Sequence, residues 1–548
     1  MNYRLLFSLS ALCLAFNINK AVHIDDTFYL ETAQHILRDP LHPLSGLINW
    51  YSSADLIAIT NIGPLPAFSY ALVMAVFGIS ELVLHTVVSL MAVWAIWIFY
   101  RITKRFVPDH SDWLTAVFTL CPAFLPSQNL MVDVPQVTFW LAFLDWITTP
   151  PANRTSMTYG AAAAAIAAAC LIKYTSLLLL PFYVGVILFR RAWLMLWWLG
   201  IPLVVLIGWS IWNYYDYGGI HIFSRKLPEI TIKDYAFRYI EWISGLGAVA
   251  PFSLILLSTR FRVPLRRWII AGSAAGGLLI FWNAHYPQAP YQIVIGWGLF
   301  FGNGCLLIGM TLSGAVSEGL TRWRLKDYER MESIVIMIVW VLSVSVFMVA
   351  FAPFIAVRHI LLIVPPLLLL IGMQFQWSMP SRLRDAGVTL TVLIGIALAV
   401  SDYVWAGVYR TEGGRLYREL RQGSSATIWQ VGHWGWQWYA KQNGMEQYDT
   451  TTSNLKPGDF VVVAEYVHKQ NLTPEHNQQL HFISTKTIPS LPLTWFRTYN
   501  NEQIGGYYGF SYRWRSLPWR FSNAPLEVFT VYQVRDAASP ETPHTYGN

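Results

Sequence analysis

The chain has 548 residues, of which 55% are hydrophobic and only 13% are charged, and its mean hydropathy is +0.40. Soluble domains carry about a quarter of their residues as charges, so the composition excludes an ordinary soluble protein and indicates a polytopic membrane protein. The formal net charge of +7 comes from Lys and Arg in short loops between apolar segments. That distribution is typical of membrane topology and does not indicate nucleic-acid binding.

Thirteen apolar segments approach the roughly 20 residues that a membrane span requires. The first follows Arg4, and we interpret it as an uncleaved helix rather than a signal peptide because no small-x-small cleavage site follows it. The predicted spans are 5–19, 82–100, 113–126, 134–147, 158–172, 175–189, 193–212, 239–258, 268–283, 292–316, 332–352, 360–376 and 386–406.

The positive-inside rule orients these spans, because cytoplasmic loops are enriched in Lys and Arg. With the N-terminus inside, the cytoplasmic segments carry 17 basic residues and the opposite segments carry 8. An odd number of spans then places the C-terminal part outside. The sequence therefore predicts a multi-pass protein of the inner (plasma) membrane, with its N-terminus in the cytoplasm and its C-terminal part in the periplasm or an equivalent compartment.

The chain changes character after residue 406, which we take as the boundary between a membrane module (1–406) and an extracytoplasmic α/β domain (407–548). Three β-branched or aromatic runs predict strands at 459–466, 479–488 and 526–534. A short helix is predicted at 433–444, ending at Gly444. The polar end of the chain, from about 537, is predicted to be disordered.

The four cysteines all lie in apolar segments and form no CxxC pair, so disulfides, metal clusters and thiol catalysis are unsupported.

The first external loop, about residues 20–81, is long, and long loops are commonly functional. After Asp25 and Asp26, apolar residues recur at helical spacing and predict a helix that lies on the membrane surface. A second surface helix is predicted at 64–78. The adjacent carboxylates have two interpretations, because one Asp suits a helix N-cap, whereas a second adds little to a cap and leaves room for a chemical role.

Several short motifs follow Asp25 in order along residues 1–406. They are Asp25-Asp26-x-x-Tyr29, "NIGPLPAFSYAL" (61–72), "GISEL" (78–82), "NLMVDVPQVTFWLAFL" (129–144) with Asp133, "LIKYTSLLLLP" (171–181) with Lys173, and "VRHILLIVPPLLLL" (357–370) with Arg358. This ordered set resembles the GT-C membrane glycosyltransferases, in particular the protein O-mannosyltransferases and the lipid A aminoarabinose transferases, both of which use polyprenyl-phosphate-linked sugars. The chain departs from the family pattern at His85, where relatives often carry Arg, and at His359, where they carry Tyr.

The resemblance implies a GT-C fold of about 13 transmembrane helices with a small C-terminal α/β domain. It also implies inverting transfer of a sugar from a polyprenyl-phosphate donor to a hydroxyl of a lipid, glycan or protein acceptor on the external face. By the family pattern Asp25 is the general base, and Asp26 orients it or the acceptor. The implied substrate-binding residues are Tyr29, His85, Asp133, Lys173, Arg358 and His359.

Other interpretations of these residues stay open. Lys173 and Arg358 are candidates for binding the donor phosphate, yet long cations at helix ends also extend to lipid headgroups. No cofactor is expected, although His23 and His85 leave a divalent metal as an alternative. The aromatic segments 433–439 and 507–521 fit either an acceptor site or the contact between the C-terminal part and the membrane.

Two other functional classes compete with an enzyme. A transporter or flippase for a lipid-linked glycan would place ionisable residues within several spans, whereas the charges here gather at one external face. A non-catalytic scaffold with an external sensory domain is the third class.

Overall fold

The computed structural model describes residues 2–60, 63–224, 231–257, 265–285, 291–374, 381–498, 506–509 and 516–535. The predicted disordered tail lies outside these ranges. Residues 61–62 of the segment 61–72 and residues 510–515 of the segment 507–521 also lie outside them.

Helices form most of the chain up to residue 421. They are α1 Tyr3–Asn17, α2 Asp26–Arg38, α3 Leu65–Phe77, α4 Glu81–Phe106, α5 Ser111–Leu120, α6 Asp133–Ile147, α7 Ser156–Ile172, α8 Leu179–Phe189, α9 Gly200–Tyr217, α10 Ile232–Val249, α11 Leu265–Ala284, α12 Tyr291–Arg324, α13 Tyr328–Ala350, α14 Val357–Ile360, α15 Val364–Gln374 and α16 Ser381–Arg421. The two helices predicted in this loop are present, as α2 and α3. Helix α3 begins after Pro64 and ends at Gly78, whose φ of +70° is a conformation that glycine adopts readily.

Within the described ranges, six helices are long and apolar enough to cross a membrane: Glu81–Phe106, Trp193–Tyr217, Tyr291–Arg324, Tyr328–Ala350, Val357–Gln374 and Arg382–Arg421. The chain is therefore a multi-pass membrane protein. Each of the thirteen predicted spans overlaps a helix, but several of these helices are short. Helix α5, for example, has 10 residues and extends only about 15 Å, half the thickness of the hydrocarbon core.

One end of the helix bundle is held by ion pairs between helix termini. Arg105 at the end of α4 contacts Asp145 of α6 at 2.9 Å, and Arg190 after α8 contacts Glu332 of α13 at 2.5 Å. Arg105 also donates to the Asp145 carbonyl and Arg190 to the Ile147 carbonyl, both in the last turn of α6. These carbonyls have no partner within their own helix, so the arginines cap helix ends that would otherwise be unsatisfied. Helices α2 and α3 lie at the opposite end.

The C-terminal part contains a mixed sheet of five strands among the described residues. Its strands are β3 Ile428–Val431, β4 Glu446–Gln447, β5 Phe460–Ala464, β6 Leu480–Ile488 and β9 Glu527–Val534, in the order β4-β3-β5-β9-β6. The three predicted strands are confirmed as β5, β6 and β9, whereas β3 and β4 were not predicted. Strands β3, β4 and β5 are parallel, and β9 is antiparallel to β5 and β6.

Two helices and one short ladder accompany this sheet: α17 Trp434–Gln442, α18 Pro474–Gln479 and the pair β7 Phe496–Arg497 with β8 Arg520–Phe521. Helix α17 confirms the predicted short helix, and Gly444 follows it with φ +96°. Helix α16 runs without interruption through residue 406, so the last spanning helix continues directly into the C-terminal part.

A hairpin from the chain between α2 and α3 packs on this C-terminal part. Its strands, β1 Leu47–Asn49 and β2 Ala54–Leu56, pair antiparallel. The carboxylate of Asp449 accepts hydrogen bonds from the Asn49 side chain and from the Ala54 backbone N–H. The hairpin is therefore fixed between the membrane helices and the sheet.

Candidate active site

A cavity of about 840 Å³ opens where α2, the hairpin and the ends of several membrane helices meet. Its polar lining includes Asp25, Tyr29, Asp133, Lys173, Arg358 and His359. Aromatic and acidic side chains of the hairpin form one wall, and apolar side chains from the end of α13 and the turn after it form another. Six of the eight residues to which the sequence analysis gave a role thus line one cavity.

Asp25 occupies the N-cap position of α2 but does not cap it. Its side chain makes no capping hydrogen bond, so the capping interpretation is wrong for this residue. Oδ2 instead lies 2.8 Å from an Nη atom of Arg358, and 27% of the side chain is exposed. Asp25 therefore presents an ion-paired, accessible carboxylate to the cavity.

Asp26 is in a different environment although it is the next residue. It is fully buried and does not line the cavity. One oxygen accepts the His23 backbone N–H at 3.0 Å, and the other has no hydrogen-bond partner among the described residues. Burial raises the pKa of Asp26 well above its usual value. Asp26 is therefore enclosed by the protein, whereas Asp25 is placed to meet a ligand.

Two cations and two carboxylates alternate across the cavity. Arg358 lies between Asp25, at 2.8 Å, and Asp133, at 3.9 Å, and Lys173 lies 3.2 Å from Asp133 on its other side. Both cations therefore reach carboxylates inside the cavity rather than extending to the bilayer surface. This arrangement keeps two positive charges in the same cavity as the partly exposed Asp25 carboxylate, at the C-terminal end of α7 and the start of α14.

Tyr29 and His359 complete the group that the sequence analysis expected. Tyr29 lies one helical turn after Asp25, and burial raises the pKa of its phenol well above its usual value. The His359 ring packs against Phe354, with centroids 5.3 Å apart. The structure does not bring His85 into this group, because its side chain is 1% exposed within α4 and does not line the cavity.

The sequence analysis missed the cavity walls. Trp50, Tyr51 and Asp55 come from the hairpin, and Phe347 and Phe354 come from the end of α13 and the turn after it. The adjacent aromatic residues Trp50 and Tyr51, between α2 and α3, were an available signal for the first wall. The residues of the second wall, Phe347 and Phe354, belong to an ordinary apolar run. Only tertiary packing distinguishes them from the other apolar residues of that run.

No group of three or more His, Cys, Asp or Glu side chains that could hold a metal ion occurs within the described residues. In the cavity, the space between Asp25 and Asp133 is taken by the Arg358 guanidinium.

Comparisons with known proteins yield structural likenesses. No family model and no curated protein matches the sequence. The structure is similar to that of ArnT from Cupriavidus metallidurans bound to undecaprenyl phosphate, with a TM-score of 0.40, 13% identity and coverage of 98% of this chain and 99% of that chain. ArnT is a lipid A aminoarabinose transferase, one of the groups that the motifs resemble. The apo form of the same protein gives a TM-score of 0.42.

The structure is also similar to the oligosaccharyltransferase AglB from Archaeoglobus fulgidus in complex with an inhibitory peptide and a dolichol-phosphate. The TM-score is 0.41 and the identity is 11%, over 84% of this chain and 69% of that chain. At these identities and TM-scores, the likeness assigns neither a substrate nor a residue role to this chain.

Proposed function

We propose that the protein is an integral-membrane glycosyltransferase of the GT-C fold. It transfers a sugar from a polyprenyl-phosphate donor to a hydroxyl of a lipid, glycan or protein acceptor on the extracytoplasmic face. The observation that carries the proposal is the accessible Asp25 carboxylate beside Arg358 and Lys173, in a cavity with a polar wall and an apolar wall.

The proposed reaction needs a base, because a hydroxyl is a weak nucleophile near neutral pH. The acceptor oxygen attacks the anomeric carbon, its proton passes to Asp25, and the bond from that carbon to the phosphate oxygen breaks. The electron pair of this bond stays on the phosphate, and the anomeric configuration is inverted. Asp25 is the candidate base because it is the exposed member of the aspartate pair.

The leaving lipid phosphate requires positive charge where its negative charge develops. Arg358 and Lys173 would supply it, and the planar guanidinium can bind two phosphate oxygens at once. An incoming phosphate competes with Asp25 for Arg358, which releases the carboxylate towards the acceptor. The apolar side chains of Phe347, Met348 and Phe354 form a wall suited to the first prenyl units.

The same proposal includes the membrane arrangement. About 13 helices would cross or enter the bilayer of the plasma membrane, with the N-terminus in the cytoplasm and the 407–548 domain outside. The basic helix ends around Arg105 and Arg190 would then lie at the cytoplasmic surface, where such residues are favoured, and the cavity would open on the other side.

We further propose that transfer needs no divalent metal. The Arg358 guanidinium already lies between Asp25 and Asp133, the pair of carboxylates that would otherwise hold a cation. Transfer measured in excess EDTA should equal transfer without it, and recovery of a lost activity by added divalent ions would refute this part of the proposal.

The deciding experiment compares Asp25→Asn with Asp39→Asn in the purified full-length protein. Both substitutions remove a carboxylate from the first external loop, but Asp39 is partly exposed, contacts His42 and does not line the cavity. Sugar release from a radiolabelled undecaprenyl-phosphate sugar should fall by about 10²–10⁴-fold in Asp25→Asn and stay unchanged in Asp39→Asn.

Full activity of Asp25→Asn would end the assignment of the base. If the intact protein moved a lipid-linked glycan between membrane leaflets without releasing its sugar, a flippase would replace the enzyme.

A further inference from the structure

A buried carboxylate that the proposed reaction does not use lies next to the cavity. Asp402, on α16, is fully buried. Oδ2 lies 2.5 Å from Lys20 Nζ and accepts the Tyr508 hydroxyl at 2.7 Å. Oδ1 accepts the Thr498 hydroxyl at 2.6 Å and lies 3.2 Å from His23 Nε2. Both oxygens of one carboxylate thus have two partners each.

These partners come from distant parts of the chain. Lys20 and His23 lie between α1 and α2, nearly 400 residues before Asp402. Thr498 follows β7, and Tyr508 belongs to the segment 506–509. A buried ion pair is weak evidence for stability, because desolvation offsets much of its attraction, but it fixes the geometry of the segments that it joins. Asp402 therefore joins the first loop to the C-terminal part.

The first of these connections leads to Asp25. His23 is fully buried, and its ring packs edge-on against Trp405, with centroids 4.5 Å apart. Its backbone N–H donates to Asp26. Between them, Ile24 has φ +48°, a conformation that β-branched residues rarely adopt and that persists only where the surroundings impose it. The strained residue directly precedes Asp25.

The second connection leads to Arg358. The Tyr508 ring, whose hydroxyl is held by Asp402 and Asn129, lies 5.9 Å from the Arg358 guanidinium. The carbonyl of the neighbouring Tyr507 accepts the Val357 backbone N–H at 3.0 Å, directly before Arg358. The segment 506–509 thus supports the start of α14 next to Arg358.

We propose that Asp402, with Lys20 as its counter-ion, is a positioning residue that holds Asp25 and Arg358 in register through His23 and Tyr508. The C-terminal segment that contains Tyr508 is then a permanent part of the catalytic unit. This inference rests on the proposed function, because it assigns a role relative to the same reaction.

A packing role alone would give a different result from a positioning role. Loss of packing lowers the fraction of folded protein, and the molecules that remain folded turn over normally. Loss of positioning lowers kcat in molecules that stay folded, because small displacements of reacting groups are costly to the rate. The affinity for the donor changes little, since Arg358 and Lys173 keep their charges.

The test uses variants that remove single hydrogen bonds to Asp402 from the C-terminal side. Tyr508→Phe and Thr498→Val each delete one donor and keep the shape of the side chain. Tyr183→Phe is the matched control, because Tyr183 is also a buried tyrosine, and its hydroxyl donates to Met195 O, which does not line the cavity. Asp402→Asn removes the charge itself. The full-length protein is assayed with an undecaprenyl-phosphate sugar, and its thermal unfolding is measured in parallel.

We expect Tyr508→Phe and Thr498→Val to lower kcat by about tenfold and Asp402→Asn by about 100-fold, with KM for the donor within about threefold of that of the intact protein. The control should keep its kcat. If kcat per folded molecule is unchanged in Tyr508→Phe, Thr498→Val and Asp402→Asn, the inference is overturned, while the proposed function stands. Lack of sugar release by the intact protein overturns the proposed function, and this inference with it.

Discussion

Two adjacent residues of one type, Asp25 and Asp26, have different chemistry because they face different surroundings. Successive positions at a helix start differ by about 100° in direction, so only one of the two can face the cavity. Asp25 faces Arg358 and solvent. Asp26 points into the protein, where the His23 backbone N–H donates a hydrogen bond to its carboxyl group. The local pattern could not choose between them, because the choice depends on what α2 packs against, and only the family resemblance favoured Asp25.

This difference predicts that the two positions tolerate the same substitution unequally. Asn resembles a protonated Asp and can still accept the His23 N–H, so Asp26→Asn should keep sugar transfer within about threefold of that of the intact protein. Initial rates with an undecaprenyl-phosphate sugar measure this, with Asp25→Asn as the inactive reference. A loss in Asp26→Asn as large as that in Asp25→Asn would mean that the reaction needs an ionised Asp26.

At the scale of elements, a buried acid joins the sheet to the last membrane helix. Glu527 begins β9 and accepts hydrogen bonds from the Tyr409 hydroxyl of α16 and from the backbone N–H of Tyr466. Its side chain is fully buried. Burial raises the pKa of Glu527 to about 7, because a charged carboxylate is costly away from water.

The raised pKa predicts how stability depends on pH. The folded state holds the Glu527 proton to a higher pH than the unfolded chain, whose glutamates titrate near 4.3. The stabilisation from this group is therefore complete below about pH 4 and is lost as the pH rises through about 7. Melting temperatures from pH 5 to pH 8 should fall further in the intact protein than in Glu527→Gln. Parallel curves for the two proteins would contradict this assignment.

Helices and strands with a strong local sequence pattern could be predicted. Short strands that form only by pairing with other parts of the chain could not. The apolar stripe of α2 and the β-branched runs of β5, β6 and β9 identified those elements to within a few residues. The hairpin of β1 and β2 has no such pattern, since its strands of three residues depend on Asp449 for support. The same holds for β4, a strand of two residues.

At the scale of the whole molecule, the candidate site is built from contacts between distant segments. Lys173 and Arg358 were predicted because they stand in motifs that resemble the glycosyltransferase family, and a lone cation beside an apolar run is also conspicuous. Tyr508 lies in the aromatic segment 507–521 that the sequence analysis singled out, but its bond to Asp402 was not predicted, and Thr498 carried no signal of its own. Their role depends on Asp402, about 100 residues earlier in the chain, and no local pattern encodes that approach.

The proposed topology predicts which ends of the molecule are accessible from outside. Cysteines introduced at Glu475, on α18, and at Asp109, in the turn after α4, occupy exposed positions, while three of the four native cysteines are buried. A membrane-impermeant maleimide should label Glu475→Cys in intact cells and Asp109→Cys only after permeabilisation. The reverse pattern would invert the topology and move the cavity to the cytoplasmic side.

The most direct test of the central claim is to locate a bound lipid phosphate by electron cryo-microscopy of the full-length protein in nanodiscs with undecaprenyl phosphate. The phosphate should lie in the cavity with oxygens about 3 Å from Arg358 and Lys173, its prenyl chain along Phe354, and Asp25 released from Arg358. A cavity that stays empty at saturating lipid, with Arg358 still paired to Asp25 and the phosphate bound elsewhere, would contradict the claim.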